Sequence, residues 1–344
     1  MNTINLLSDT VTEPTPQMRT AMANAQVGDD VTRDDPTVNR LEQMSAERMG
    51  KEAGLFIPSG TMGNLLALMC HCARGEEVIL GNTMHTFLYE AGGAAVLASV
   101  PAYPIGTAED GSLPLHSIQQ AIRTKDIHCP VSRLIILENT HNRCAGVSLS
   151  AVYTQQVADL AAEYQLLLHI DGARIFNAAI DQQCDVRELV DPADSVTFCL
   201  SKGLGAPVGS VLCGSSAFIA NARHTRKMLG GGMRQAGIIA AAGIVALESM
   251  LDRLIEDHLR AEQLAEALRR LKGEVIAKVV QHTNMIYVYL HENSPINAPQ
   301  IAEKLRFQGV IVGVTGESSM RLVTHYWIDD AAIKQAIKAF RSIL

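Results

Sequence analysis

Short aliphatic and β-branched runs recur along this chain, separated by stretches in which apolar residues return every three or four positions. The runs at 54–58, 77–80, 133–138, 166–171, 195–200 and 210–213 predict strands. Most are apolar at successive positions, which suits strands buried on both faces between two helical layers. Helices are predicted between them, at 64–74, 115–122 and 151–164. Strand–helix alternation of this kind predicts an α/β domain with a mostly parallel sheet. Near Ala246 the pattern changes. Leu251, Leu254, Ile255, Leu264, Leu268 and Leu271 recur at helical spacing, with Glu256, Arg260, Glu262 and Arg270 opposite, predicting one amphipathic helix over 247–271. A strand at 284–290, a helix at 298–308, strands at 310–314 and 320–327 and a helix at 330–344 complete a small α+β unit. The expected division is a large cofactor-binding domain, 1–246, and a small domain, 247–344. No repeat, low-complexity segment or linker separates them, so a shared interface is expected.

Composition narrows the class. The chain has 344 residues, 47% hydrophobic and 19% charged, enough for a large core. Its formal charge of -7, with basic residues scattered, lacks the positive field of a nucleic-acid binder. The longest apolar run, 236–247, is too short to span a bilayer. The N-terminal run from Met1 to Asp9 has neither the charged nor the long apolar segment of a signal peptide. Seven cysteines, an odd number, argue against a disulfide framework. Cys70-His71-Cys72 could suggest a metal site, but it has no second ligand pair and lies in an apolar stretch that a buried helix explains better. The expectation is a soluble cytoplasmic protein.

Three anchors then carry chemistry. Ser201-Lys202-Gly203 follows a buried strand, which places an amine where open α/β sheets bind ligands. A desolvated, neutral amine can form a Schiff base with an aldehyde. Asp171 closes another apolar strand and is costly to bury without a partner; a pyridinium N–H would be one. It precedes Lys202 by 31 positions, room for one helix and one strand. Pro58-Ser59-Gly60-Thr61-Met62-Gly63-Asn64 joins a strand to a helix, as a phosphate-binding turn would. Together they match the needs of pyridoxal 5'-phosphate: phosphate cup, ring-nitrogen partner and Schiff-base lysine. His85, after the strand at 77–80, could stack on the ring and act as an acid–base group, or be merely structural.

With these residues in view, the chain resembles the low-specificity L-threonine aldolase family, within the aspartate-aminotransferase-like (fold type I) pyridoxal-phosphate enzymes. The runs carrying the resemblance include Ser8-Asp9-Thr10-Val11-Thr12, Val27-Gly28-Asp29-Asp30-Val31, Leu137-Glu138-Asn139-Thr140-His141-Asn142, His169-Ile170-Asp171-Gly172-Ala173-Arg174, Ser201-Lys202-Gly203-Leu204-Gly205, Gly230-Gly231-Gly232-Met233-Arg234-Gln235 and Arg321-Leu322-Val323-Thr324-His325, spread over nearly the whole chain. The resemblance implies that Lys202 holds the cofactor aldehyde, Asp171 meets its ring nitrogen, Gly60 and Thr61 cradle its phosphate and His85 stacks on it. It implies that Ser8, Arg174 and Arg321 hold the substrate carboxylate, with Arg174 also close to the cofactor, and that His128 lies near the substrate hydroxyl. Lys227 and Arg234 match basic residues reaching a neighbouring subunit's cofactor site, so an essential dimer, and a homotetramer, are expected.

The activity so implied is retro-aldol cleavage of threonine, allo-threonine and related β-hydroxy-α-amino acids to glycine and an aldehyde. Another reaction at Cα, racemisation or β-elimination, is the alternative, because one cofactor supports several bond cleavages. A silent cofactor-binding protein would not need Lys202, Asp171, Arg174 and Arg321 together. A nicotinamide enzyme would need a Gly-x-Gly-x-x-Gly turn that is absent here. The sequence departs from the family at Leu7, Thr32 and Arg33, where arginine, tyrosine and glycine are usual. The last two are expected to widen the substrate pocket and add positive charge, or to be neutral changes at its rim.

Overall fold

The computed structural model describes residues 3–271 and 273–344. Met1 and Asn2, which open the run read for a leader, and Lys272 lie outside the described residues. Among those described, the strands are β1 (Ile4–Leu6), β2 (Ala53–Ile57), β3 (Glu76–Gly81), β4 (Ala102–Ile105), β5 (Val131–Glu138), β6 (Leu167–Asp171), β7 (Ser195–Cys199), β8 (Ser210–Gly214), β9 (Ile276–His282), β10 (Met285–Leu290), β11 (Val310–Gly316) and β12 (Ser319–Val323).

Seven of them form one sheet in the order β2-β8-β7-β6-β5-β3-β4. Only β8 opposes the others, pairing antiparallel with both β2 and β7. The remaining pairs are parallel, so the C-terminal ends of β2, β3, β5, β6 and β7 share one edge. The mostly parallel α/β expectation holds. Alternate residues along a strand enter different cores: Ile79, Ile135 and Leu137 face one helical layer, Val78, Leu80, Leu134 and Ile136 the other. Burial on both faces is why these strands are apolar throughout.

The second sheet has the order β1-β11-β12-β10-β9. Its helices are Leu254–Arg269, Ala298–Phe307 and Asp330–Ile343, and its core holds Leu264, Leu268, Ile286, Val288 and Leu322. β1, which the division at 246 assigns to the larger unit, pairs with β11 in this sheet, burying Ile4 and Leu6. The sheet's other face sets Met285, Tyr287 and Val323 against Ala145 of the larger unit.

Two local expectations change. The single helix over 247–271 is two, Gly237–Ser249 and Leu254–Arg269. The first packs in the large core and the second in the small one, so the chain must turn between them; Ile255, read as core-facing, is left half exposed. The strand over 320–327 ends at Val323, where Thr324 Oγ1 turns to donate to Asp257 O at 2.6 Å. No helix among the described residues is long and apolar enough to cross a membrane. All seven cysteines are free, and His71 of the Cys70-His71-Cys72 run stacks on Phe218 instead of facing its neighbours' sulfurs.

Candidate active site

The shared strand edge gathers the chemistry. β2 hands over through Pro58 to Ser59, which caps the helix Gly60–His71 by accepting a hydrogen bond from the Met62 amide at 3.2 Å. The amides of Gly60 and Thr61 have no acceptor within the helix, as at any helix start, and are free for an anion. Glycine is required for the helix to begin this close to β7. A Cβ on Gly60 would sit 2.9 Å from Cys199 Sγ, and one on Gly63 2.5 Å from Thr197 Cγ2.

Asp171, ending β6, is 3% exposed. Its Oδ2 accepts from Asn64 Nδ2 at 2.9 Å and from Thr86 Oγ1 at 3.2 Å. Those donors are neutral, and among the described residues no ion pair reaches this carboxylate. Lys202, just past β7, is half-buried on the wall of the same cavity. The cavity is about 150 Å³ and also takes Gly60, Thr61, Asn64, His85 and Arg174 into its lining. A buried hydroxyl in that wall, Thr140 Oγ1, has no hydrogen-bond partner.

This donor set fits pyridoxal phosphate: helix-terminal amides for the phosphate, a buried anion without a cation for a ring N–H, and an amine for the aldehyde. A larger hollow of about 750 Å³, beside Met44, Phe176 and Cys184, shares no lining residue with this site.

His85 opens the helix His85–Leu88 after β3. Its amide donates to Glu138 Oε2 at 2.7 Å, and Glu138 Oε1 accepts from the Asn142 amide at 2.9 Å. The buried Glu138 thus ties together two segments of the cavity wall. His85 Nδ1 lies 3.1 Å from Glu90 Oε1, which also accepts from Asn64 Nδ2 at 2.8 Å. The bond to Glu90 raises the His85 pKa despite partial burial. Burial raises that of Glu90, and its bond to His85 pulls the other way. The carboxylate fixes the proton on Nδ1 and leaves Nε2 as the basic atom.

Arg174, also in the cavity wall, is buried and doubly bonded to Asp9, with Nε to Oδ2 at 2.7 Å and Nη2 to Oδ1 at 2.6 Å. Burial alone would raise the Asp9 pKa, but the guanidinium overrides it and holds the carboxyl well below the usual range. Asn284 adds a donor to Asp9 at 3.3 Å from the second unit. Ser8 is buried beside it, capping a short turn by accepting from the Thr10 amide. Arg321, on β12, donates to Asn142 Oδ1 at 2.9 Å and to Leu7 O at 3.3 Å, and its Nε is buried without an acceptor. Since Asn142 lines the cavity, Arg321 stands one residue behind the wall.

Gly60, Thr61, His85, Asp171, Arg174 and Lys202 therefore meet at one cavity. Five other expected site residues do not line it: Ser8 and Arg321, described above, and His128, Lys227 and Arg234. His128 is exposed in a turn, where Asp126 binds both its amide at 2.8 Å and its Nδ1 at 2.7 Å. Lys227 is exposed in the last turn of the helix Ser216–Met228. Arg234 is exposed and paired with Asp29 at 2.7 Å. Thr32 and Arg33 lie in an exposed turn, with Thr32 Oγ1 on Asp34 Oδ2 and Arg33 at φ +66°, and neither lines the cavity.

Sequence reasoning missed the roles of Asn64, Glu90 and Glu138. Asn64 stands inside the phosphate-turn motif and could have been asked for its partner. Glu90 carries no local signal; only folding sets it beside Asn64.

The beta-eliminating lyase family model matches residues 5–293. Over its whole length the chain is 46% identical to a probable low-specificity L-threonine aldolase 2 of Arabidopsis thaliana, covering 98% of that protein. It is 34% identical to the alanine racemase TOXG of Cochliobolus carbonum, over 98% of this chain and 86% of that one. In structure it is similar to a threonine aldolase of Leishmania major, with a TM-score of 0.84, 18% identity and 99% of each chain covered.

Proposed function

The chain belongs to the threonine aldolases of the beta-eliminating lyase family, and on that premise we propose that it cleaves threonine, allo-threonine and related β-hydroxy-α-amino acids to glycine and an aldehyde, with pyridoxal phosphate as cofactor. The observation that carries the reading is the single cavity walled by Asp171, Lys202, the Gly60–Thr61 turn and the His85–Glu90 pair. Bound pyridoxal phosphate supplies an aldehyde for the substrate amine and a ring that draws off the electron pair of the breaking Cα–Cβ bond.

Asp171 keeps a negative charge against the ring nitrogen, and Asn64 and Thr86 orient it. Lys202 offers the amine that holds the aldehyde between turnovers. Arg174 has Nε and Nη2 bound to Asp9, so its Nη1 is the group left to meet a substrate carboxylate. Arg321, through Asn142, and Ser8, in the turn that carries Asp9, support that clamp from behind the cavity wall. The clamp fixes which bond at Cα stands in line for cleavage. His85 Nε2 takes the proton of the β-hydroxyl as the carbonyl of the leaving aldehyde forms, and Glu90 stabilises the resulting imidazolium through Nδ1–H.

We extend the reading to assembly as a homodimer, paired into a tetramer, in the cytoplasm. Phe87, Leu88, Tyr89, Val96 and Leu97 expose a band of apolar side chain beside His85, the kind of surface a second copy would cover. Lys227 and Arg234, exposed and outside their own cavity, are then the groups that reach the partner's site. Seven free cysteines suit a reducing compartment.

Incubation of the holoenzyme with threonine and allo-threonine should release glycine and acetaldehyde in equal amounts. The relative named as a racemase favours one rival, and L-alanine tests it: formation of D-alanine without glycine release from threonine would replace this reading.

A further inference from the structure

A polar chain runs inward from Asn64 in the cavity wall through His169, Ser195 and His71, none of which lines the cavity. Asn64, 1% exposed, commits both N–H bonds of its amide, one to Asp171 Oδ2 at 2.9 Å and one to Glu90 Oε1 at 2.8 Å. Its Oδ1 lies 3.2 Å from His169 Nε2 and can only accept, so the His169 proton sits on Nε2. His169 Nδ1 is then an acceptor, served by Ser195 Oγ at 2.8 Å. The Ser195 oxygen, its own proton used, receives His71 Nε2–H at 2.7 Å. Each bond fixes the direction of the next. His169 and Ser195 are fully buried, and the His71 ring is braced by stacking on Phe218 at 4.3 Å.

We propose that His71, Ser195 and His169 form a positioning relay that locks the Asn64 amide, and through it the Asp171 carboxylate that meets the cofactor ring. Without the relay the Asn64 oxygen has no donor, and only its two N–H bonds hold the amide in place. Its bond to Asp171, the shortest side-chain bond that carboxylate receives, would then be less firmly positioned. Burial depresses the pKa of His169 to about 4 and of His71 to about 3, so both rings hold one proton at neutral pH, as the chain of donors requires. The relay resembles the outer ligands of metal sites, which orient the group that touches the metal and whose loss weakens binding by about 10- to 100-fold.

The inference rests on Asp171 facing the cofactor ring, and the experiment separates the two. The readouts are the dissociation constant of pyridoxal phosphate, from fluorescence titration of protein stripped of cofactor, and the absorbance of the bound form. His169→Phe removes both ring bonds and should raise the dissociation constant about tenfold or more. His169→Gln keeps an N–H at the Nε2 position and should stay within about threefold of the parent. Ser195→Ala, which removes only the outer link, should fall between them. Equal losses in His169→Gln and His169→Phe would make the role one of packing and overturn the relay. So would an unchanged constant in His169→Phe or, should that variant not fold, in Ser195→Ala. Asp171→Ala is the control. If it changes neither readout, the placement of the ring is wrong; if it changes both while the relay variants are silent, only the relay fails.

Discussion

Two buried aspartates, Asp171 in the cavity wall and Asp9 behind Arg174, are treated in opposite ways. Asp9 receives a guanidinium side-on, with two short bonds from Arg174, and its charge is neutralised within the chain. Asp171 receives an amide and a hydroxyl, and among the described residues no ion pair reaches it. Burying a charge without a counterion is costly, so such a site is stable only if something arrives to answer it or binding justifies the strain. Asp9 is a structural strut, fixing an arginine between the N-terminal segment and the large sheet. On the proposed reading, Asp171 is the prepared half of a pair whose other half is the cofactor ring.

The contrast can be broken most sharply on the Asp171 side. Lys202→Ala should cut kcat by roughly a thousandfold or more and abolish the borohydride-reducible absorbance of the holoenzyme. Asp171→Asn should lower kcat/KM by roughly a hundredfold, yet leave the cofactor-free protein as stable or more so, since it removes a buried carboxylate that no ion pair reaches. Thermal unfolding of stripped protein checks this.

Asp9→Asn should do the reverse. Stranding Arg174 should cost about 3 kcal/mol of stability, visible in Tm, while KM rises about tenfold and kcat changes less. The pKa of Asp9 is depressed in the folded protein, so its contribution is present above the unfolded carboxyl pKa and is lost as pH falls through the lower folded value. The parent should therefore lose stability in acid that Asp9→Asn has already lost, and their Tm difference should shrink as pH falls well below about 4.

The His85–Glu90 pair lines the same cavity as Asp171. Glu90→Gln should lower kcat by about tenfold. Because Glu90 raises the His85 pKa, its removal should move the acid limb of the kcat/KM profile to lower pH. Smallest is Arg33→Gly, at an exposed turn that does not line the cavity. It places glycine at φ +66° and should change stability by only about 0.5 kcal/mol, with cofactor affinity unaffected.

The large sheet was legible because burial on both faces leaves long apolar runs, and the meeting of Lys202, Asp171 and the Ser59–Thr61 turn at one cavity was legible because each ends or follows one of them. β1, β4 and β9 were not: β1 and β4 have only three or four residues at a sheet edge, and the edge strand β9 buries only Ile276 and Val279, so each leaves too short or too weak a pattern. The break at Ser249 was hidden because leucines continue at helical spacing across it while the chain passes from one core to another.

The amino-acid order by itself thus determined the layers, the strand edge that bears the site and the residue types that could hold the cofactor. These depend on periodicity and on neighbours close along the chain. Only the tertiary structure decided that Asp9 closes on Arg174 across 165 positions, that Asn64 bridges Glu90 to Asp171, and that His128 stays in an exposed turn beside Asp126. Those outcomes depend on which polar groups are buried face to face, and hydrogen bonding between residues remote in sequence leaves no local pattern to read.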